Sequence, residues 1–156
     1  VNRLIGKKFG LLTLFFDFFK TFFVSLNVAY FYGNELGIIC GFFSILGHIF
    51  PIWLKFKGGK GVASFIGLLS IISWPLALVF CVIWLFIVKL FKFSAAGALI
   101  AILFNIILFK IVLLIQFSNG ILMWIPGTPF EFNLILILSL IILYKHKTNL
   151  KEFFKK

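Results

Sequence analysis

Residues 62–88 read VASFIGLLSIISWPLALVFCVIWLFIV, a run with no charged side chain that is interrupted by Ser73, Trp74 and Pro75. Proline lacks an N–H and its ring clashes with the preceding turn, so a helix ends or kinks just before it. The run is therefore either one kinked span or two short helices that meet at Ser73–Pro75. Its flanks favour two. Lys55, Lys57 and Lys60 precede it, and Lys89 and Lys92 follow it. Two passes return the chain to the side it left, so both basic clusters share one face. One pass would separate them. Lysine and arginine concentrate on the cytoplasmic side of membrane proteins, which selects the two-pass reading.

The rest of the chain fits this register. Upstream, Leu11–Tyr32 and Leu36–Leu54 are apolar runs parted by Gly33, Asn34 and Glu35. Downstream, Ser94–Phe117 and Phe132–Tyr144 are parted by a loop containing Pro126, Gly127, Thr128 and Pro129. Arg3, Lys7 and Lys8 precede the first run, and Lys145, Lys147, Lys151, Lys155 and Lys156 follow the last. The other breaks hold only Glu35 and Glu131. The expectation is an all-α, polytopic transmembrane bundle with six crossings and both termini cytoplasmic. It forms a single integral membrane domain over residues 1–156.

Composition agrees. Hydrophobic residues make up 63% of the chain and charged residues 12%, about half the share that covers a soluble surface. The 24 Phe suit a surface that faces lipid. A net charge of +11 would suggest nucleic acid in a soluble protein. Here the charges cluster at the ends of apolar runs, so they read as membrane orientation. The lipid bilayer is the expected partner and nucleic acid is not. Cys40 and Cys81 lie within apolar runs and read as small hydrophobes. With no C-x-x-C or His/Cys cluster, no metal site is suggested. Val1-Asn2-Arg3 lacks an initiator Met, which reads as an incomplete N-terminus. The first apolar run is long and carries Asp17 and Lys20, unlike a cleavable signal peptide.

Chemistry concentrates in Gly47-His48-Ile49-Phe50-Pro51 and in Lys55-Phe56-Lys57-Gly58-Gly59-Lys60-Gly61-Val62-Ala63-Ser64. Glycines let the backbone approach an oxyanion and aim N–H groups at it. A helix that starts directly afterwards adds its positive end, and lysines add mobile charge. This is the composition of a phosphate cradle, although the Walker A spacing is absent. A plain basic cytoplasmic turn is the alternative. His146 and Asn149, three apart, would share a face on a continuing helix. They lie at the cytoplasmic end of the last run, on the loop's side, where capping is the alternative use. Asp17 and Lys20, also three apart, can pair within the membrane as a structural ion pair. His48 sits at a helix end, placed to brace the loop or to take part in chemistry.

These residues resemble a known family. Gly47-His48-x-x-Pro51 with Phe56-Lys57-Gly58-Gly59-Lys60-Gly61-Val62-Ala63 is similar to the second signature of the PlsY-type acyl-phosphate:glycerol-3-phosphate acyltransferases. His146-x-x-Asn149 resembles the third signature, and Leu4–Lys20 looks like the segment after the first. The first signature and the helix before it have no counterpart here, so the chain reads as an N-terminally truncated copy with six of seven spans. Lys145 stands where the third signature has arginine, and Glu152 stands where it has a second arginine. The resemblance implies acyl transfer from acyl phosphate to the 1-hydroxyl of glycerol 3-phosphate, without a cofactor, by a monomer in the bacterial inner membrane as a step of phospholipid synthesis. It places Lys60, His146, Asn149 and Arg3 in catalysis. Lys57, Gly58, Gly59, Gly61 and Ser94 bind substrate phosphate, and His48, Asp17 and Lys20 have supporting roles. The His-x-x-x-x-Asp box of the acyl-CoA-type enzymes is absent, since Trp53 and Lys151 stand five residues after the two histidines. The alternatives are a transporter or channel for an anionic metabolite, or an inactive membrane-inserted remnant.

Overall fold

The computed structural model describes residues 7–56 and 58–147. Among them are six α-helices and no strand: α1 Lys7–Tyr32, α2 Asn34–Ile49, α3 Val62–Ile72, α4 Trp74–Phe91, α5 Ser94–Asn119 and α6 Pro129–Lys145. A 3-10 turn at Ile52–Leu54 follows α2. The all-helical polytopic fold expected from the sequence is the one observed. Hydrocarbon offers no partner to a backbone N–H or C=O, so each segment must satisfy its own. Several polar side chains in the helices do likewise. Thr13 Oγ1 donates to the Phe9 carbonyl at 2.8 Å, Asn27 Nδ2 to the Phe23 carbonyl at 2.7 Å, and Ser139 Oγ to the Ile135 carbonyl at 2.7 Å.

The charge-free run at 62–88 is two helices, as its flanks predict. Ser73 between them is extended (φ −156°, ψ 94°), and Pro75 occupies the first turn of α4, where its missing N–H costs nothing. Among the described residues, four helical segments are long and apolar enough to cross a membrane: Lys8–Tyr32, Asn34–Leu54, Trp74–Phe91 and Ser94–Asn119. Helix α3 has 11 residues and rises about 16 Å, roughly half the hydrocarbon thickness.

The chain divides into two compact units, residues 1–71 and 72–156. In the first, α1, α2 and α3 meet through small residues. Gly37 and Gly41, one turn apart on α2, face Ser25 and Ala29 of α1. A Cβ on Gly37 would stand 2.5 Å from the Ala29 Cβ and 2.6 Å from the Ser25 carbonyl oxygen. One on Gly41 would stand 2.6 Å from Leu68 of α3, and one on Gly67 of α3 would stand 2.5 Å from the Phe18 carbonyl oxygen of α1. Close backbone approach replaces the hydrophobic drive that lipid removes. Ser25 Oγ donates to the Gly37 carbonyl at 2.8 Å across this contact.

In the second unit α5 packs against α4 and α6. Trp84 Nε1, in the second half of α4, donates to the Ser94 carbonyl at 3.3 Å. Trp74, the first residue of α4, meets Trp124 with ring centroids 6.3 Å apart. Thr128 and Glu131 form a reciprocal capping box at the start of α6. Gln116 Nε2 donates to the carbonyls of Leu122 and Ile125 at 2.9 and 2.8 Å, which braces the loop before it. Phe65, Phe80 and Phe109 fill the cores, whereas Phe15, Phe16, Phe43, Phe86, Phe104 and Phe117 face outward.

Candidate functional site

The Lys/Gly loop folds back over the C-terminal end of α2. The Pro51 carbonyl accepts from the N–H of Leu54 at 3.2 Å and of Phe56 at 3.0 Å. The reversal uses left-handed backbone at Lys55 (φ 51°) and Phe56 (φ 62°). The chain then lies flat on α2. A Cβ on Gly58 would collide with the carbonyl of His48 and the ring of Pro51, and one on Gly59 with the imidazole of His48. The Gly59 N–H donates to the His48 carbonyl at 3.2 Å. Carbonyls at a helix end need such partners, so here Gly59 satisfies α2 and serves by lacking a side chain.

Gly61 (φ 80°) is in the left-handed region that suits glycine. Its carbonyl accepts from Phe65 N–H at 2.8 Å and so opens α3 directly after the loop, as the sequence predicts. The N–H groups of Val62, Ala63 and Ser64 lie in the first turn, where a helix has no internal acceptor and carries partial positive charge. Lys60 is exposed immediately before them. The loop thus sets a lysine and a helix N-terminus beside each other.

The polar residues of α1 converge on the same place. Asp17 Oδ1 is 3.8 Å from Lys20 Nζ and 3.4 Å from His48 Nδ1. Lys20 Nζ donates to His48 Nδ1 at 3.1 Å. The pair expected from its i,i+3 spacing is therefore present, with His48 as a third member. Ser64 is buried, and its Oγ donates to the Asp17 carbonyl at 3.0 Å. Nothing in the sequence marks Ser64 for this bond, because its partner lies 47 residues away, beyond any local signal. Beside this cluster an open groove of about 600 Å³ runs along α1 past Phe15, Phe16, Phe19 and Phe23.

Ser94 and His146 belong to the second unit. Ser94 is the exposed first residue of α5. His146 is 2% exposed and caps α6, which ends at Lys145. Its Nδ1 is 2.8 Å from the Ile142 carbonyl oxygen. A carbonyl only accepts, so Nδ1 carries hydrogen and Nε2 is the acceptor nitrogen of the neutral ring. Arg3, Lys57 and Asn149 lie outside the described residues.

The structure brings together Asp17, Lys20, His48, Gly58, Gly59 and Gly61 around a lysine-tipped helix start. The profile described as glycerol-3-phosphate acyltransferase matches residues 1–156. A relative of that description from Rhodopseudomonas palustris (strain BisB5) is 38% identical over 140 residues, covering 90% of this chain and 64% of the relative. One from Brucella anthropi is 37% identical, covering 96% and 67%. Two crystal structures of PlsY (YgiH), an integral membrane glycerol 3-phosphate acyltransferase, are similar at 26% identity over 99% of this chain. The lysophosphatidic acid form gives a TM-score of 0.81 over 73% of that protein, and the glycerol 3-phosphate form 0.78 over 72%. The chain thus spans about two thirds of the length of these relatives. With its whole length matched by one profile, it belongs to the glycerol-3-phosphate acyltransferase family.

Proposed function

We propose that this chain is part of a multi-pass enzyme that moves an acyl group from acyl phosphate to the 1-hydroxyl of sn-glycerol 3-phosphate. The products are 1-acyl-glycerol 3-phosphate (lysophosphatidic acid) and inorganic phosphate, so the reaction feeds phospholipid synthesis. The observation that carries this reading is Gly58–Gly59–Lys60–Gly61, laid on the end of α2 and opening into α3. Relatives are described as glycerol-3-phosphate acyltransferases, and one solved neighbour has a glycerol 3-phosphate form.

The hydroxyl oxygen attacks the acyl carbonyl carbon, and the carbon–oxygen bond to phosphate breaks. The hydroxyl proton leaves with the phosphate. Acyl phosphate is already activated, so the step needs no acyl-enzyme and no cofactor. The protein's task is to hold two anions close together and to orient the hydroxyl. Lys60 and the first-turn N–H groups of α3 hold the phosphoryl oxygens and steady the leaving group, and Gly58, Gly59 and Gly61 shape the approach. His146, accepting from the substrate hydroxyl through Nε2, and Asn149 orient glycerol 3-phosphate. Arg3 clamps the second phosphate, with Lys57 and Ser94 as further phosphate contacts. The fatty tail stays in the bilayer beside the Phe-lined groove of α1. Basic residues at 55–60 and 89–92 support an inner-membrane location with the site facing the cytoplasm.

Phosphate release from acyl phosphate by membranes carrying the whole gene product tests this. Release should depend on glycerol 3-phosphate and fall about 100-fold in Lys60→Ala, the scale of losing one charge-assisted hydrogen bond. Wild-type membranes whose release ignores glycerol 3-phosphate would overturn the acyltransferase reading.

A further inference from the structure

The ammonium of Lys20 is 3.1 Å from an imidazole nitrogen and 3.8 Å from its i,i+3 carboxylate. Its tighter partner is therefore His48, on another helix. A simple structural ion pair would show the reverse order. An ammonium has only hydrogens to offer, so Nδ1 of His48 is the acceptor and the neutral ring holds its hydrogen on Nε2. That Nε2 edge lies over Gly59, in the space where a Cβ would stand. His48 thus grips the loop twice, through its ring and through the carbonyl that accepts Gly59 N–H at 3.2 Å. The far side of the loop returns to the same turn of α1, because Ser64 Oγ donates to the Asp17 carbonyl at 3.0 Å. One turn of α1 therefore holds both ends of the Lys/Gly segment.

We propose that Asp17, Lys20 and His48 form a positioning relay for the cradle, with Lys20 setting the His48 ring and the ring setting Gly59. The role of the relay in catalysis rests on the function proposed above, but the contact itself does not. Charged residues inside a membrane are expensive and are usually tied to function. Here the charge is spent on the geometry of a loop that carries Lys60.

Two measurements on the whole protein in membranes test it. The first is steady-state kinetics. Lys20→Met removes the donor at similar length and should raise KM for acyl phosphate about tenfold, the scale of one lost charged hydrogen bond, while kcat moves less than about threefold. Lys20→Arg keeps a donor and should restore KM to within about threefold. Gly59→Ala puts a methyl where the ring stands. Combined with Lys20→Met it should cost less than the product of the two single effects, because both act through one contact. The second is tryptic nicking after Lys55 and Lys60, which reads the loop without catalysis. Lys20→Met should be cut about fivefold faster than wild type, and Lys20→Arg at the wild-type rate. Unchanged nicking in Lys20→Met, or an unchanged KM alongside intact wild-type activity, overturns the relay. Faster nicking in a protein with no glycerophosphate-dependent release overturns the proposed function and leaves the relay standing.

Discussion

Not every glycine of the motif does the same work, and substitution should separate them. A Cβ on Gly47 meets nothing within 4 Å, whereas one on Gly58 strikes His48 and Pro51. Gly47→Ala should therefore be neutral or stabilise by up to about 1 kcal/mol, as alanine does in a helix. Gly58→Ala should destabilise by about 1–3 kcal/mol through overpacking. Thermal unfolding in detergent reads both, and equal effects would contradict the loop's seat on α2. Ser64→Ala, which loses a buried donor to Asp17, should cost about 1 kcal/mol in the same measurement. At this scale the sequence told part of the story. Lys/Gly density located the loop, and the apolar run from Val62 marked the helix that follows it. What holds the loop was hidden, because Lys20 and His48 are 28 residues apart and their encounter depends on how α1 crosses α2. Nor did any local preference mark Lys55 and Phe56, two residues with side chains, as the left-handed pair that reverses the chain.

Among the helices, small side chains decide the packing in the first unit. Leucine at Gly37 would have to displace the backbone of α1 at Ser25 and Ala29. Gly37→Leu should therefore abolish the folded, monodisperse protein on size-exclusion chromatography, or cost at least about 3 kcal/mol if it survives. At the start of α6 the Thr128–Glu131 box closes reciprocally, with Thr128 N–H donating to Glu131 Oε2 at 2.7 Å. Thr128→Ala should cost about 1 kcal/mol of stability in thermal unfolding, because the cap of α6 is lost. The apolar runs gave the helices their places, and proline and serine gave the break at Ser73. The shortness of α3 was less legible. Its composition does not change across the break, so only the extended backbone at Ser73 shows where eleven residues stop.

For the whole molecule the testable issue is which end of each helix meets which side of the membrane. Trp74 and Trp124 sit together, the kind of aromatic pair that marks a water–lipid boundary. The basic residues Lys89 and Lys92 lie at the opposite end of α4. Single cysteines, introduced after replacing the free Cys40 and Cys81, should react with an impermeant reagent from the outside at position 74 and from the cytoplasm at position 89. Labelling of both from one side would rule out a crossing by α4. The whole-chain pattern of charge was readable because it is a sum over many residues. What anchors the loop was not, because it is an encounter between a few. The seat of the Lys/Gly loop also bears on biosynthesis. Lys20 arrives with α1, His48 with α2 and Ser64 with α3, so a nascent chain stalled before α3 has emerged can seat Gly59 on His48 but lacks the Ser64 tie to Asp17. During membrane insertion the loop is held at both ends only when the third of these helices docks.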